Sequence, residues 1–319
     1  MYLEMISDII RKLNSCLSAW CKKNKPVSAN KDLLIRRYIK NNIESNKIIK
    51  NNLKETHNIF NKKLYLLLQK NNIKNFLREG FIQKMFFLHN RFFVYSELKA
   101  LKKNKKWSLY KSLIKEDTIG NPIRYFLYQN SSGNRINHVY HLSVLSKELN
   151  IDLNEIKKVF EFGGGYGCMA RIFSKINQKI KYTCFDTYYV NLLQYYYLKH
   201  NNLDVGFSKK NNYSLISDLK KINNNYITKR KSLFIANWSL SETPIKFRNN
   251  FITIIKKSDF ILICFQEKFE DINNLQYFNG LKSKISNRYQ IKILKNKFYT
   301  GNIINKHNHY FFIGKRITI

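Results

Sequence analysis

The chain has 319 residues, and its 57 Lys and Arg residues against 21 Asp and Glu give a formal net charge of +36. Apolar residues make up 44% of the chain and aromatic residues 15%, which excludes wholesale disorder and allows a substantial core. Apolar runs such as residues 260–265 are far shorter than the roughly 20 residues that span a bilayer. The five cysteines are odd in number and form no C-x-x-C pair. We therefore expect neither a disulfide framework nor a zinc site. We also expect a cytoplasmic location.

The positive charge has two interpretations. A strongly basic chain ordinarily binds nucleic acid or another anionic surface. Here, however, most of the basic residues are Lys (45 of 57), they are scattered, and they occur together with many Asn, Ile, Tyr and Phe residues. These residue types share AT-rich codons, so biased base content in the genome accounts for the composition without a functional role. We favour this second interpretation and leave a nucleic-acid partner or contact with a membrane surface open.

Residues 1–117 are predicted to form a helical N-terminal region. Apolar residues recur at helical spacing over Met1–Trp20, Leu64–Leu77 and Ile82–Leu101. The first of these segments carries Lys and Arg between its apolar residues, which is also typical of a helix that lies on a membrane surface. We favour a helix packed on its own domain.

A second domain is predicted over residues 118–319. Turn chemistry at Gly120-Asn121-Pro122 ends the helical region. Beyond it, strands and helices alternate with short links, which predicts an α/β, Rossmann-like doubly wound sheet. The last two strands have little helix between them and predict an antiparallel hairpin at one edge. The predicted strands are Lys158–Phe162, Ile180–Phe185, Ser232–Ala236, Phe260–Phe265, Tyr289–Lys295 and Tyr310–Gly314. The predicted helices are Asn137–Leu149, Cys168–Ile176, Tyr188–His200 and Thr243–Ile255.

The first strand runs directly into a glycine-rich turn. An acid lies in the strand, and glycines recur at alternate positions immediately after it. Glycine adopts backbone angles closed to other residues and leaves room for a ligand against the main chain, while the following helix directs free N–H groups to the same corner. This pattern predicts a nucleotide-binding turn. The residues that we expect to bind a cofactor there are Glu161, Gly163, Gly164, Gly165, Tyr166 and Gly167.

Two further strand ends carry polar side chains. Asp186 follows the second strand, a position where an acid accepts hydrogen bonds from both hydroxyls of a ribose. Asn237 and Ser239 follow the next clear strand, and Glu242 comes shortly after them. Because ligands of such sheets bind beyond the carboxyl ends of the strands, we expect these side chains to face one crevice.

Two cofactors compete for this crevice. The spacing of Gly165, Gly167 and Ala170 satisfies the dinucleotide fingerprint, which leaves a nicotinamide enzyme open. However, the pattern acid-x-Gly-x-Gly-x-Gly that begins at Glu161 resembles the first motif of class I S-adenosylmethionine-dependent methyltransferases. This resemblance implies S-adenosyl-L-methionine as the cofactor, with the glycine turn beside its amino-acid end, and we favour it.

Within that class the chain resembles the sugar O-methyltransferase family of bacterial surface-polysaccharide gene clusters, over roughly residues 118–315. The motifs that carry the resemblance are Glu161-Phe162-Gly163-Gly164-Gly165-Tyr166-Gly167 with Ala170-Arg171, Gly120-Asn121-Pro122, Phe185-Asp186 with Gln194-Tyr195-Tyr196-Tyr197-Leu198, and Ser239-Leu240-Ser241-Glu242. Thr187-Tyr188 departs from the family pattern, which has Leu-Pro there. The resemblance implies a cytoplasmic enzyme that methylates a hydroxyl of a sugar or glycan precursor.

Methyl transfer to a sugar hydroxyl requires a base or a metal, because such a hydroxyl is a poor acid. We expect Glu242 to contact the substrate or to act as this base, although an acid there also suits a helix N-terminus capped by Ser241. His138 and His141 lie one helical turn apart and are further catalytic candidates, with two half-buried structural histidines as the alternative. No cluster of Asp and Glu indicates a metal site, so a divalent metal stays open but unsupported.

Two other functions stay open. An RNA methyltransferase would use the basic N-terminal region to hold phosphates, and its RNA binding would depend strongly on salt. A non-catalytic partner protein would keep the fold and lose the ligand.

Overall fold

The computed structural model describes residues 28–45, 55–69, 73–86, 92–222, 231–299 and 307–317. The predicted helix Met1–Trp20, with its membrane-surface alternative, lies outside the described residues. Within the ranges above, no helix combines the length and the apolar character that crossing a membrane requires.

The first part of the described chain is helical, as predicted, but its helices are shorter than the sequence pattern indicated. The helices are α1 (Ala29–Ser45), α2 (Glu55–Gln69), α3 (Gly80–Phe86), α4 (Phe92–Lys102) and α5 (Trp107–Ile114). Of the predicted helix Leu64–Leu77, residues 64–69 belong to α2, and the described parts of the predicted helix Ile82–Leu101 belong to α3 and α4. After α2 comes a 3-10 segment, Ile73–Arg78, which contains non-helical backbone at Asn75. This segment also buries apolar residues, which explains why the apolar spacing continued across the break.

An eight-stranded, mostly parallel sheet forms the centre of the remaining chain. Its strands are β1 (Lys158–Phe162), β2 (Lys181–Phe185), β3 (Val205–Gly206), β4 (Tyr213–Ile216), β5 (Ser232–Asn237), β6 (Phe260–Gln266), β9 (Tyr289–Lys295) and β10 (His309–Arg316). A separate hairpin follows β6 and consists of β7 (Lys268–Phe269) and β8 (Ile272–Asn273). The strand order is β3-β4-β2-β1-β5-β6-β10-β9. The predicted doubly wound α/β fold is therefore confirmed.

The direction of winding reverses at β1. This strand pairs in parallel with β2 on one side and with β5 on the other. The carboxyl end of β1, where the glycine turn begins, thus lies at the point where such sheets bind ligands. At the far side, β10 pairs antiparallel with both β6 and β9, which confirms the predicted hairpin and places the last strand inside the sheet.

Helices connect the strands. They are α6 (Gly133–Leu149), α7 (Cys168–Ile176), α8 (Tyr188–His200), α9 (Ile245–Arg248), α10 (Ile252–Ile255) and α11 (Asn274–Ile285). Helix α6 begins before the predicted Asn137 because Ser132 caps it, its hydroxyl accepting a hydrogen bond from the N–H of Arg135. The predicted helix Thr243–Ile255 begins after Pro244 and contains a 3-10 turn, Asn249–Phe251. Helix α11 was not predicted.

Alternate strand residues pack on opposite faces of the sheet. In β5, Leu233 and Ile235 belong to a hydrophobic cluster on one face, whereas Phe234 and Ala236 belong to a second cluster on the other. Covering both faces is what a parallel sheet requires. The first cluster also contains residues of α1 to α8, so the helical N-terminal region and the sheet share one core. The domain boundary at residues 117 and 118 stays a prediction from composition.

Candidate functional site

The turn after β1 contains glycine at positions 163, 164, 165 and 167, and its conformation depends on them. Gly163, Gly165 and Gly167 all have positive φ angles, of 72°, 55° and 97°. A Cβ on Gly163 would lie 2.2 Å from the Cβ of Ser239, and one on Gly164 would lie 2.5 Å from the Sγ of Cys184. The turn is therefore both left-handed and tightly enclosed, and side chains are excluded from it for two independent reasons.

Asp186 is bound to the same turn. Its Oδ2 accepts a hydrogen bond from the N–H of Gly165 at 3.2 Å, and its Oδ1 accepts one from the N–H of Thr187 at 2.7 Å. Burial raises the pKa of the Asp186 carboxyl to about 7, although these backbone N–H groups act in the opposite direction. The structure thus brings the acid and the glycine turn together, as the sequence predicted.

A cavity of about 510 Å³ opens at the carboxyl ends of β1, β5 and β6. It contains most of the predicted site residues. Those that line it are His138, Glu161, Gly163, Gly164, Gly165, Tyr166, Asn237 and Glu242. The structure therefore brings residues from position 138 to position 242 together at one cavity.

Four predicted site residues do not line the cavity. Gly167 is the residue before α7, and Asp186 lies against the turn as described. The Ser239 hydroxyl donates to the carbonyl oxygen of Phe162 at 2.5 Å and joins the ends of β5 and β1. His141 lies behind Asn237, with its Nδ1 3.2 Å from the Asn237 Oδ1. Ser239 and His141 therefore hold parts of the site in place instead of facing its space.

Glu161 is buried at the bottom of the turn, with 2% of its surface exposed. The hydroxyl of Tyr182 donates to its Oε2 at 2.7 Å. Burial raises the pKa of Glu161 to about 8, and the nearby Asp186 carboxyl acts in the same direction. At neutral pH the folded protein therefore keeps most Glu161 carboxyls protonated, in which form the group can also donate a hydrogen bond.

The two histidines of α6 differ in their surroundings. His138 lines the cavity, and its buried Nδ1 has no hydrogen-bond partner among the described residues. Burial lowers the pKa of His138 to about 3, and that of His141 to about 4. Both rings are neutral at physiological pH. Only His138 combines an unpaired nitrogen with contact to the cavity.

Glu242 follows β5 in a 3-10 turn, Ser239–Glu242. The side chain is exposed along the cavity, and Gln266 approaches it with its Nε2 3.4 Å from the Glu242 Oε1. Desolvation of the carboxyl raises its pKa, and the hydrogen bond from Gln266 acts in the opposite direction. A carboxylate with a raised pKa is a stronger base than a free one.

Several residues of the cavity were missed by the sequence analysis. Lys84, Met85 and Phe86 come from α3 in the N-terminal region, where no motif marks them. Tyr299 comes from the segment after β9. Trp238, which lies between the predicted Asn237 and Ser239, and His307 and His309, which border the start of the predicted last strand, line the cavity as well. Gln266, Lys268, Phe269 and Glu270 come from β6 and the β7–β8 hairpin. Trp238 and Gln266 stand at strand ends, and that position was the one signal available for them.

Phe86 lies over the glycine turn. Its ring atoms Cδ1 and Cγ are 3.2 and 3.4 Å from the place where a Cβ on Gly165 would be. Nearby, the Thr187 hydroxyl donates to the Oδ1 of Asn61 in α2 at 3.3 Å. The N-terminal helices thus adjoin the corner that contains Asp186, and the site includes residues from before position 118.

A buried ion-pair network fixes the start of α6. Arg135 is fully buried, with its Nε 3.1 Å from the Glu116 Oε1. Its Nη2 donates to the Asp117 Oδ2 at 2.9 Å and to the Tyr197 hydroxyl at 2.7 Å. Through these ion pairs and hydrogen bonds, the network fixes α6 relative to α8 and to the segment before it. His138 is held in the cavity by the same helix.

The residues present fit a polar cofactor better than a metal. Among the described residues, the Nδ1 of His138 and the Nδ2 of Asn237 have no hydrogen-bond partner, and both residues line the cavity with the glycine turn. In the part of the chain that the structure describes, no three or more His, Cys, Asp or Glu side chains converge to hold a metal ion. A required divalent metal therefore has no candidate ligand set in these ranges.

Comparisons with known proteins give similarity at the level of solved structures. No family model and no curated protein matches the chain. A SAM-dependent methyltransferase from Aquifex aeolicus is 14% identical, covers 55% of this chain and 89% of its own, and has a TM-score of 0.39. Magnesium protoporphyrin IX methyltransferase from Synechocystis PCC 6803, solved with bound SAH, is 11% identical with coverages of 70% and 100% and a TM-score of 0.39. A precorrin-6y C5,15-methyltransferase from Geobacter metallireducens is 8% identical, with coverages of 56% and 88% and a TM-score of 0.37.

Likenesses of this size concern the fold alone. The fold of this chain rests on its own strand order, and its site rests on its own residues.

Proposed function

We propose that this protein is an S-adenosylmethionine-dependent O-methyltransferase that acts on a hydroxyl of a sugar or glycan precursor. One observation carries the proposal. A single cavity extends from side-chain-free backbone at the end of β1 to Glu242 and His138, which are groups able to accept a proton. A methyltransferase needs these two features within one space, because donor and acceptor must meet in line.

S-adenosylmethionine supplies an electrophilic methyl group on a positively charged sulfur. The chain would hold this molecule through the glycine backbone at Gly163 to Gly165, with the Asn237 amide as a hydrogen-bond donor. Asp186 does not line the cavity itself, but it adjoins the glycine turn, and each of its oxygens can accept a further hydrogen bond beyond those from Gly165 and Thr187. We therefore assign the ribose hydroxyls to this acid. The absence of side chains from the turn allows direct contact between the backbone and the ligand.

Glu242 is the stronger candidate for the base. Its pKa is raised, so it attracts a proton more strongly than an ordinary carboxylate, whereas the pKa of His138 is lowered to about 3. We therefore assign proton removal from the acceptor hydroxyl to Glu242. His138 would accept a hydrogen bond from the acceptor and orient it, and His141 would hold Asn237 in place.

The sugar acceptor is supported by the family resemblance of the sequence and by the composition of the cavity. Its acceptor half combines a carboxylate and an amide, Glu242 and Gln266, with aromatic side chains. Carboxylate and amide groups exchange hydrogen bonds with hydroxyls, and aromatic rings contact apolar ligand faces. This combination suits a ligand with hydroxyl groups and apolar C–H faces.

The proposal is tested in two steps. Calorimetry measures whether the full-length protein binds S-adenosylmethionine and S-adenosylhomocysteine. Transfer of the tritiated methyl group from S-adenosylmethionine to a set of nucleotide sugars then identifies the acceptor class. Absence of cofactor binding would contradict the methyltransferase assignment. Cofactor binding with methyl transfer to RNA and none to sugars would show that the acceptor is RNA instead of a sugar.

A further inference from the structure

Trp238, the first residue after β5, has an unusual backbone conformation. Its φ and ψ angles are 61° and −38°, in a region that residues other than glycine rarely adopt. The Trp238 N–H donates to the carbonyl oxygen of Cys264 at 2.7 Å, which holds the strained residue against β6. Strain of this kind is concentrated at functional sites.

The indole is held as firmly as the backbone. Its Nε1–H donates to the Nδ1 of His309 at 2.9 Å, so the proton of this imidazole is on Nε2. Burial lowers the pKa of His309 to about 3, and the ring therefore stays a neutral acceptor at physiological pH. Tyr299 stacks on His309 with centroids 3.7 Å apart, and Phe93 stacks on Tyr299 at 4.3 Å.

Despite these contacts, Trp238 forms part of the cavity wall. The rings of His141, Tyr299 and His309 stand at 82° to 88° to it, and among the described residues no ring stacks parallel to it. Trp238, Tyr299 and His309 all line the same space as Glu242. A rigid aromatic side chain, fixed by one hydrogen bond and by its own backbone, thus lies beside the proposed base.

We propose that Trp238, held by His309, positions the acceptor by packing against the apolar face of a sugar ring. This inference rests on the proposed function. The face of an indole carries partial negative charge and attracts the weakly positive C–H groups on one side of a pyranose. The hydroxyls around the ring edge then meet Glu242 and Gln266. Trp238 is a positioning residue, and the proton is removed by Glu242.

The test uses full-length protein saturated with S-adenosylhomocysteine. Saturation-transfer NMR is recorded with the methyl glycosides of glucose, galactose, mannose and rhamnose at millimolar concentration. The wild-type protein is expected to transfer saturation to the ring C–H protons of at least one glycoside. Trp238→Leu is expected to reduce this transfer to background, whereas the control Trp107→Phe, which changes a tryptophan of α5 outside the cavity, retains it.

Two milder variants separate positioning from folding. Trp238→Phe keeps an aromatic face and loses the N–H, and His309→Phe keeps the stack on Tyr299 and loses the acceptor. Each is expected to weaken glycoside binding about three- to tenfold, the effect of one lost hydrogen bond. His309→Phe should also shift the indole ¹H–¹⁵N signal of Trp238.

Calorimetry with S-adenosylhomocysteine is run on every variant. Unchanged cofactor affinity together with lost glycoside binding supports the proposal. Wild-type protein that binds the cofactor and none of the glycosides overturns it, as does glycoside binding that survives Trp238→Leu. Trp238-dependent binding of an RNA oligonucleotide in place of glycosides also overturns it, since nucleobases stack on indole as well. Failure of the wild-type protein to bind the cofactor contradicts the proposed function itself.

Discussion

At the scale of single residues, the acids of the candidate site share one property. Burial raises the pKa of Glu161 to about 8 and that of Asp186 to about 7, and it also raises the pKa of Glu242. Glu161 and Asp186 therefore carry less negative charge near neutral pH than two ordinary carboxyls would. Small changes in pH or in bound ligands should change their protonation, which is typical of groups that act in binding or in acid–base chemistry.

The raised pKa of Asp186 predicts that cofactor binding depends on pH. Only the ionised carboxylate accepts hydrogen bonds from both ribose hydroxyls, and the ionised fraction falls as the pH decreases through about 7. Between pH 8 and pH 6 we expect the affinity for S-adenosylhomocysteine to fall about tenfold, measured by calorimetry.

Asp186→Asn is the matched control for this experiment. It removes the titrating group, so its weaker binding should be nearly independent of pH over the same interval. Glu161 also titrates nearby, and Glu161→Gln should leave the decrease between pH 8 and pH 6 in place. Equal pH dependence in the wild type and in Asp186→Asn would exclude Asp186 as the ribose ligand.

For Glu242 the prediction concerns the rate of transfer. Glu242→Gln preserves the shape of the side chain and removes its ability to take a proton. We expect kcat to fall by about 10² to 10⁴, with unchanged affinity for S-adenosylmethionine. Glu155→Gln is the control, because Glu155 lies away from the cavity and pairs with Lys231 at the surface. A normal kcat in Glu242→Gln would show that a group other than Glu242 acts as the base.

At the scale of elements, the long buried strands were predictable and the short ones were not. The strands β1, β2, β5, β6 and β9 were predicted to within one residue at each end. The first four are mainly apolar runs, whereas β9 places Gln and Lys between apolar residues. The strands β3 and β4 have two and four residues and lie among Asn, Lys and Ser residues, so local sequence gave no run to detect. Their pairing depends on the neighbouring strand β2, which is tertiary information.

Alanine substitutions in the glycine turn test its contact with the cofactor, and a glycine elsewhere in the chain provides the control. Gly163→Ala and Gly164→Ala place a Cβ against Ser239 and Cys184, so the turn must shift. Both variants should lose most cofactor affinity and be destabilised by roughly 1 to 3 kcal/mol. Gly280→Ala is the control, since no atom lies within 4 Å of its new Cβ in helix α11. It should be stabilised by roughly 0.5 to 1 kcal/mol in urea unfolding and bind the cofactor normally.

Should Gly163→Ala and Gly164→Ala bind S-adenosylhomocysteine as tightly as the wild type does, the turn does not contact the cofactor. Thermal unfolding of the same samples separates lost binding from lost structure.

At the scale of the whole molecule, the site is assembled from parts of the chain that local motifs do not connect. The glycine turn, Asp186 and Glu242 were predictable because each stands at the end of a recognisable strand. Phe86 was not, because its place over Gly165 results from the packing of the N-terminal helices on the sheet. The same holds for the link between Trp238 and His309, which joins strand ends 71 positions apart.

The net charge of +36 makes a prediction about the acceptor. If the lysines are mainly solvated, the KM for a sugar acceptor should change little between about 50 and 200 mM salt. An RNA enzyme with 6 to 10 phosphate contacts would lose roughly 10³ to 10⁵ in affinity over that range. Measuring KM and RNA binding across the salt series distinguishes the two. A steep salt dependence of the acceptor KM would favour a polyanionic substrate.

The interior position of β10 also has a consequence for the nascent chain. Strand β6 is synthesised well before its antiparallel neighbour β10, and in the finished sheet β10 separates it from β9. On the ribosome, the hydrophobic edge of β6 therefore stays unpaired until residue 316 has emerged from the exit tunnel. Such an unpaired edge can pair with another polypeptide and aggregate. On overproduction, slow translation or chaperones that bind extended segments should therefore raise the yield of folded protein.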